Sequence, residues 1–382
     1  MRPLLISSLS LAALLTAPVI VQAQQGIDAL FQQGDVAHAA RAYSEAEKIW
    51  RQVLTLEPQN ALAHKKLALA LHEQLRLEEA EASYRESIRL GQDEAIDYID
   101  FGVVVLSQGR LEDAEAIFRE AVRKYPDNSE VYNSLGAALD YQDRNAEAAD
   151  SYRYAISLAP NNAGFYSNLG SVLSELGEDN EAEAALRNAI RLEPELADAQ
   201  SNLGNFLNAR GRHVEAEEAL RQAIRLDATH PYYPNNLGNA LYRQGRLREA
   251  EDAYRRAIEI APRFPAAHQN LGNVLYDTQR YADAEAMYRE AIRLYPDYAE
   301  AHNGLGRTLS IQNRDNEAEA AFLKGLQLDP NNATLYNSLG YFYYQQNLLD
   351  KAIALYQKAL ALNPDYELAR NNLTIAQEPL QQ

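Results

Sequence analysis

The sequence predicts an all-α solenoid of about ten stacked helix-turn-helix repeats, closed at its C-terminal end by a single capping helix. Three observations carry this. Eight glycines, Gly102, Gly136, Gly170, Gly204, Gly238, Gly272, Gly306 and Gly340, stand thirty-four residues apart without a slip, and two further periods back lie Ala68 and Gly34. Alanine holds a second place in every period: Ala46, Ala80, Ala114, Ala148, Ala182, Ala216, Ala250, Ala284, Ala318 and Ala352. Between these small residues, apolar side chains recur at three- and four-residue steps, as on one face of a helix. A fixed period of this length means one supersecondary unit stacked on copies of itself, with the core drawn out as a stripe.

The N-terminus is read first. Arg2 precedes an uncharged apolar run from Leu4 to Leu15, followed by Thr16, Pro18 and the small-residue pattern Val21-Gln22-Ala23. Residues 1–23 are expected to be a secretory signal peptide cleaved after Ala23. The alternative, an uncleaved anchor, is disfavoured by the serines in the run and by the proline. Nothing else in the sequence is long and apolar enough to cross a bilayer as a helix.

The repeats follow. In the segment 129–162, SEVYNSLGAALDYQDRNAEAADSYRYAISLAPNN, two amphipathic helices are expected over 130–142 and 145–158. Asp143-Arg144-Asn145 supplies a polar turn, Pro160 stops the second helix, and Asn162 is placed to cap the next. The same unit can be laid down from residues 27, 61, 95, 129, 163, 197, 231, 265, 299 and 333, so that ten repeats span 27–366. Glycine or alanine at the eighth position and alanine at the twentieth let helices approach closely; a bulky side chain there costs ~1–3 kcal/mol of overpacking. Leu135, Tyr152, Leu169, Leu186, Leu237, Tyr254 and Tyr288 are the large residues expected to fill the complementary space. After Pro364 a lone helix, 367–377, has the apolar side expected of a cap, and 378–382 form a tail.

The fourth repeat carries Tyr132, Leu135, Gly136, Ala148, Tyr152, Ala155 and Pro160, a pattern that resembles the tetratricopeptide repeat (TPR) family. The resemblance implies a right-handed superhelix of antiparallel helix pairs, with first helices lining a concave groove and second helices facing outward. On those outward helices an acid precedes an arginine by one turn, as in Glu183 and Arg187, Glu217 and Arg221, Glu251 and Arg255, or Glu285 and Arg289. Such pairs add a few tenths of a kcal/mol each and mark a solvated face with no function of its own.

Two places depart from the pattern. Ala228 stands where a proline is expected, and Thr229-His230-Pro231-Tyr232-Tyr233-Pro234 follows. Either the helix starts two residues late, because Pro234 fits only the first turn, or the junction is a weak joint with altered pitch. Gly325 replaces the usual alanine and is expected to soften its helix by about 1 kcal/mol.

Function is sought on the first helices. Four consecutive repeats read Ser-Asn-Leu-Gly, Ser-Asn-Leu-Gly, Asn-Asn-Leu-Gly and Gln-Asn-Leu-Gly, sharing Asn168, Asn202, Asn236 and Asn270; one turn on stand Asn205, Asn239 and Asn273. An asparagine amide offers one acceptor and two donors, matching the N–H and C=O of an extended peptide. The row resembles the asparagine ladder of the O-linked N-acetylglucosamine transferase family, whose catalytic domain this sequence lacks, and the resemblance implies polypeptide binding by Asn168, Asn202, Asn236 and Asn270. The competing reading has these amides bonding neighbouring helices to hold them in register. Tyr242 and Tyr276 fall one turn beyond the amides, and Tyr341 and Tyr344 do so further on, where they could anchor a partner's apolar side chains.

Other chemistries are disfavoured. The formal charge of −18 repels phosphate backbones, so no nucleic acid partner is expected. The absence of cysteine excludes thiol catalysis, disulfides and Cys-ligated metals. A carboxylate clamp is not expected, because Leu69 follows Lys65 where the clamp wants Asn. His64, His268 and His302 replace an aromatic at the fourth position and read as packing residues; His38 and His72 make a poor metal pair. No HExxH, phosphate loop or nucleophile elbow occurs. The expectation is therefore a non-enzymatic protein, with no catalytic residue, cofactor or metal. It would be exported to a periplasmic, extracellular or other lumenal compartment and bind a protein or peptide partner, self-association remaining possible. The alternatives are an assembly factor docking folded proteins on its flanks and, more weakly, glycan recognition.

Overall fold

A computed structural model describes residues 26–378, so the expected signal peptide and residues 379–382 lie outside the described residues. Every described element is helical: α1 (26–39), α2 (Tyr43–Leu56), α3 (Ala61–His72), α4 (Leu77–Arg89), α5 (Ala95–Ser107), α6 (Leu111–Lys124), α7 (Ser129–Asp140), α8 (Asn145–Leu158), α9 (Ala163–Leu176) and α10 (Asp179–Leu192). There follow α11 (Ala197–Ala209), α12 (His213–Leu226), α13 (Tyr232–Arg243), α14 (Leu247–Ile260), α15 (Pro265–Asp277), α16 (Tyr281–Leu294), α17 (Ala299–Ile311), α18 (Asp315–Leu328), α19 (Ala333–Gln345), α20 (Leu349–Leu362) and α21 (Glu367–Gln377). Odd-numbered helices are the first of each repeat and even-numbered ones the second, with α21 as the cap. The chain divides into two compact parts after Ala185, inside α10. In each part, consecutive helices pack against one another and successive first helices also touch, so the first helices share a face.

Local chemistry fixes the ends. Asn60, Asn128, Asn162 and Asn332 cap first helices, each side chain accepting from backbone N–H groups of the first turn. The turn inside each repeat places its fifteenth residue in the left-handed region: Arg41, Leu75, Gly109, Asp143, Gly177, Gly211, Gly245, Gln279, Asn313 and Asn347 all have positive φ. Only four of the ten are glycine, so the turn is imposed by helix packing and not by glycine freedom.

The glycines of the thirty-four-residue period admit the large side chain of the same repeat's second helix. A Cβ at Gly136 would stand 2.7 Å from the Tyr152 ring, at Gly238 2.5 Å from Tyr254, at Gly272 2.7 Å from Tyr288 and at Gly340 2.7 Å from Tyr356. Gly34 meets Trp50 and Gly102 meets Phe118 in the same way. Leu135, Tyr152, Leu169, Leu186, Leu237, Tyr254 and Tyr288 are all buried, as are the alanines at the twentieth position.

Three details differ from the sequence reading. First, the acids of the second helices are not simply solvated. The Glu217–Arg221, Glu251–Arg255 and Glu285–Arg289 pairs form at 2.7–2.9 Å, but each glutamate also reaches the next repeat. Arg246 meets Glu217 at 2.5 Å, Arg280 meets Glu251 at 2.9 Å and Arg314 meets Glu285 at 2.8 Å. Glu47, Glu81 and Glu115 do the same with Arg76, Arg110 and Arg144. Sequence spacing within one helix could not show a bond made twenty-nine residues away.

Second, Pro234 sits in the first turn of α13, which starts one residue later than the other first helices. The junction is knit by aromatics: His230 stacks on Tyr233 at 4.5 Å, Tyr232 meets Phe264 at 4.7 Å, and the Tyr233 hydroxyl donates to Asp198 at 2.5 Å. Third, Gly325 is a close approach as well as a soft spot, since a Cβ there would meet the Ala299 carbonyl oxygen at 3.2 Å and Leu335 at 2.9 Å.

Candidate peptide-binding face

Within each part the asparagines lie on the face its first helices share, Asn168 in the first part and the others in the second, and two distinct hydrogen-bonding states occur. At the sixth position Asn168, Asn270 and Asn372 spend their amino groups on the preceding first helix. Asn270 Nδ2 donates to Asn235 Oδ1 at 3.0 Å and to Asn239 Oδ1 at 3.2 Å, which uses both of its hydrogens and leaves its own Oδ1 as an acceptor. In the N-terminal part, Asn168 Nδ2 donates to Asn133 Oδ1 at 2.9 Å. Asn372 of the cap repeats the bond to Asn337 at 2.9 Å. Asn236 Oδ1 accepts from Asn235 at 3.3 Å, and Asn202 is half-buried.

The asparagines one turn on are held the other way round. Asn239 Oδ1 accepts from the Tyr254 hydroxyl at 2.8 Å and Asn273 Oδ1 from the Tyr288 hydroxyl at 2.7 Å. Burial pushes both phenols upward, so they stay protonated and donate. Each of these amides is thus held by its oxygen, and among the described residues its NH2 group makes no hydrogen bond. Asn205 has Leu220 in place of that tyrosine and is exposed. Asn270 thus keeps an acceptor, and Asn239 and Asn273 keep donors.

Of the expected tyrosines, Tyr242, Tyr276 and Tyr344 are half-buried and Tyr341 is exposed. Tyr242 donates to Asp277 at 2.5 Å; burial, then that bond, pushes its phenol to about 12. Tyr276 lies under the Arg307 guanidinium at 4.3 Å. Tyr341 and Tyr344 stack with ring centroids 6.4 Å apart. Asn303, Arg307, Ser310, Asn337, Tyr341 and Gln345 help line a cavity of ≈ 450 Å³ at the C-terminal end of this face.

Sequence reasoning missed Asn133, Asn235 and Asn337 as partners, though each stands at the fifth position of its repeat, and it missed the tyrosines that hold Asn239 and Asn273. The histidines read as packing residues also bond: Nε2 of His64, His268 and His302 lies 3.0–3.1 Å from the carbonyl oxygens of Pro58, Pro262 and Pro296. Burial pushes the His302 imidazole below its ordinary value. Among the described residues, no group of three or more His, Asp or Glu side chains could hold a metal ion, and no helix is long and apolar enough to cross a membrane.

A helix-pair repeat whose glycine and alanine periods bury aromatic rings defines the TPR class. Tetratricopeptide repeat profiles match residues 26–95, 99–163, 306–347 and 333–366, and the profile described as the cilia and flagella-associated protein 70 C-terminal domain matches 144–308. The chain belongs to the tetratricopeptide repeat family. Similar folds occur in the APC/C hetero-tetramer Cut9–Hcn1 (TM-score 0.60, 14% identity, 91% of this chain and 90% of that chain covered) and in the human IFIT1 dimer with m7Gppp-AAAA (0.58, 18%, 87% and 89%). Yeast Tom70 is similar as well (0.51, 15%, 94% and 96%). A comparison with curated proteins finds no match.

Proposed function

We propose that the chain is an exported scaffold that holds an extended polypeptide segment along its first-helix face. The repeat fold suggests protein–protein interaction. The observation that supports the finer reading is the opposed polarity of the two asparagine rows: Asn270 offers an acceptor, and Asn239 and Asn273 offer donors. An extended backbone alternates the same two needs, so it can be gripped with little regard for its side chains. Tyr242 and Tyr276 stand beside the amides as anchors for side chains. The bonds from Asn168 to Asn133 and from Asn270 to Asn235 also tie successive first helices together, which favours a register role for the sixth-position row alongside binding. No catalytic step, metal or cofactor enters this reading, and the acidic charge speaks against nucleic acid.

The test is a selection of random displayed peptides on the full chain without residues 1–23, beside an Asn239→Ala/Asn273→Ala variant. The variant is expected to keep its helix content, to melt somewhat lower because the buried Tyr254 and Tyr288 hydroxyls lose their acceptors, and to recover far fewer peptides. Equal recovery by both would show that the amides do not grip backbone. Export is tested by fusing residues 1–23 to a reporter and following its compartment.

A further inference from the structure

Arg307 lies in the C-terminal cavity without a counter-charge. The arginines that open the second helices, such as Arg246, Arg280 and Arg314, are each held by two carboxylates. Among the described residues Arg307 makes no ion pair; its guanidinium lies 4.3 Å over the Tyr276 ring and near enough to the Tyr242 and Tyr288 phenols to act on them. A half-buried guanidinium in that state carries a standing desolvation cost, which one ring face offsets only in part. One turn earlier on α17, and lining the same cavity, Asn303 Oδ1 is buried with no hydrogen-bond partner. A buried acceptor left unpaired is costly too. Arg307 and Asn303, with needs of opposite sign, thus line one space, and that space also has an apolar side in Ile311, Tyr341 and Phe342.

Resting on the reading above, we infer that this cavity receives an internal Asp or Glu of the bound segment, its carboxylate on Arg307 and its backbone N–H on Asn303, with the neighbouring apolar residue seated against Tyr341. The residue is internal because amides continue on both sides: Asn239, Asn270 and Asn273 precede Arg307 along the face, and Asn337 and Asn372 follow it. A chain end at Arg307 would leave the last pair unused.

The test selects random peptides displayed between constant flanks, so that every acid is internal, on the parent chain, Arg307→Gln and Arg307→Lys. Peptides recovered by the parent are expected to be enriched in an acid next to an apolar or aromatic residue. Arg307→Lys keeps the enrichment and Arg307→Gln loses it while still recovering peptides. A Glu-to-Gln exchange in a recovered peptide weakens binding to the parent about tenfold, as for a lost charge-assisted bond, and leaves binding to Arg307→Gln unchanged. If Arg307→Gln fails to fold, the peptide exchange and Arg307→Lys carry the test. Peptides recovered without acid enrichment overturn the Arg307 site alone; recovery of no peptides by the parent overturns the site and the peptide reading together.

Discussion

The Tyr254 hydroxyl reaches from α14 to the first-helix face and donates to Asn239 Oδ1 at 2.8 Å. Its ring gets there by packing on Gly238, the residue immediately before that asparagine. Gly272, Asn273 and Tyr288 repeat the arrangement, with the hydroxyl at 2.7 Å. The glycine admits the ring, the ring carries the hydroxyl through the helix pair, and the hydroxyl holds the amide by its oxygen. Packing and amide orientation are coupled at one residue pair.

Replacing Tyr254 and Tyr288 together by Phe keeps the rings and removes the hydroxyls. Each loss should cost about 1 kcal/mol, because an oriented acceptor is left with one partner fewer. The melting curve should shift slightly with helix content unchanged, while affinity for a selected peptide falls several-fold. An affinity equal to the parent's would mean that the amides need no orienting.

Gly272→Ala places a methyl group 2.7 Å from the Tyr288 ring, which is buried and has nowhere open to turn. About 1–3 kcal/mol of local destabilisation is expected, read as faster hydrogen exchange in α15 and α16 than in α19 and α20. Because repeat arrays need not unfold in one step, local exchange is the suitable measure. The natural Ala68, packed in a repeat whose Tyr84 remains fully buried, shows that alanine is tolerable once neighbours have adjusted.

The fold was readable in the sequence because packing demands recur: the size of residues 136, 204 or 272 is dictated by the large side chain opposite, whatever the ligand. The direction of an amide is not written in that way. Asn239 and Asn270 are the same residue type on the same face, yet one is held by its oxygen and the other by its nitrogen. That difference depends on whether a tyrosine hydroxyl or a neighbouring asparagine lies within reach. Charge pairs hid for the same reason. Glu217 looks sufficient with Arg221 four residues on, and its bond to Arg246 becomes visible only when repeats are stacked.

Glu217 makes a pH-dependent contribution. Its partial burial raises the carboxyl, but hydrogen bonds from Gln244, Arg246 and Arg221 outweigh this and hold it below the ordinary 4.5. Stability from a depressed carboxyl is present above the unfolded value and lost as pH falls through the folded one. Glu217→Gln should therefore melt a few degrees lower than the parent at pH 7, and the gap should close in acid below pH 4.5. A gap that persists in acid would assign the effect to packing.

Asp140, at the end of α7, runs the opposite way. Burial, then the nearby Glu175 and Asp143 carboxylates, push its carboxyl from 3.8 up to about 6. A raised carboxyl favours the folded state while protonated, so the contribution is complete below pH 3.8 and is lost as pH rises through about 6. No ion pair involves Asp140 among the described residues. Asp140→Asn removes the charge and keeps the shape. It should raise the melting temperature at pH 7–8 and leave it unchanged near pH 4, where the parent's carboxyl is already protonated in the fold. Melting curves of both proteins across that range check the sign, and a variant less stable than the parent at pH 8 would mean that the ionised carboxylate has a stabilising partner there.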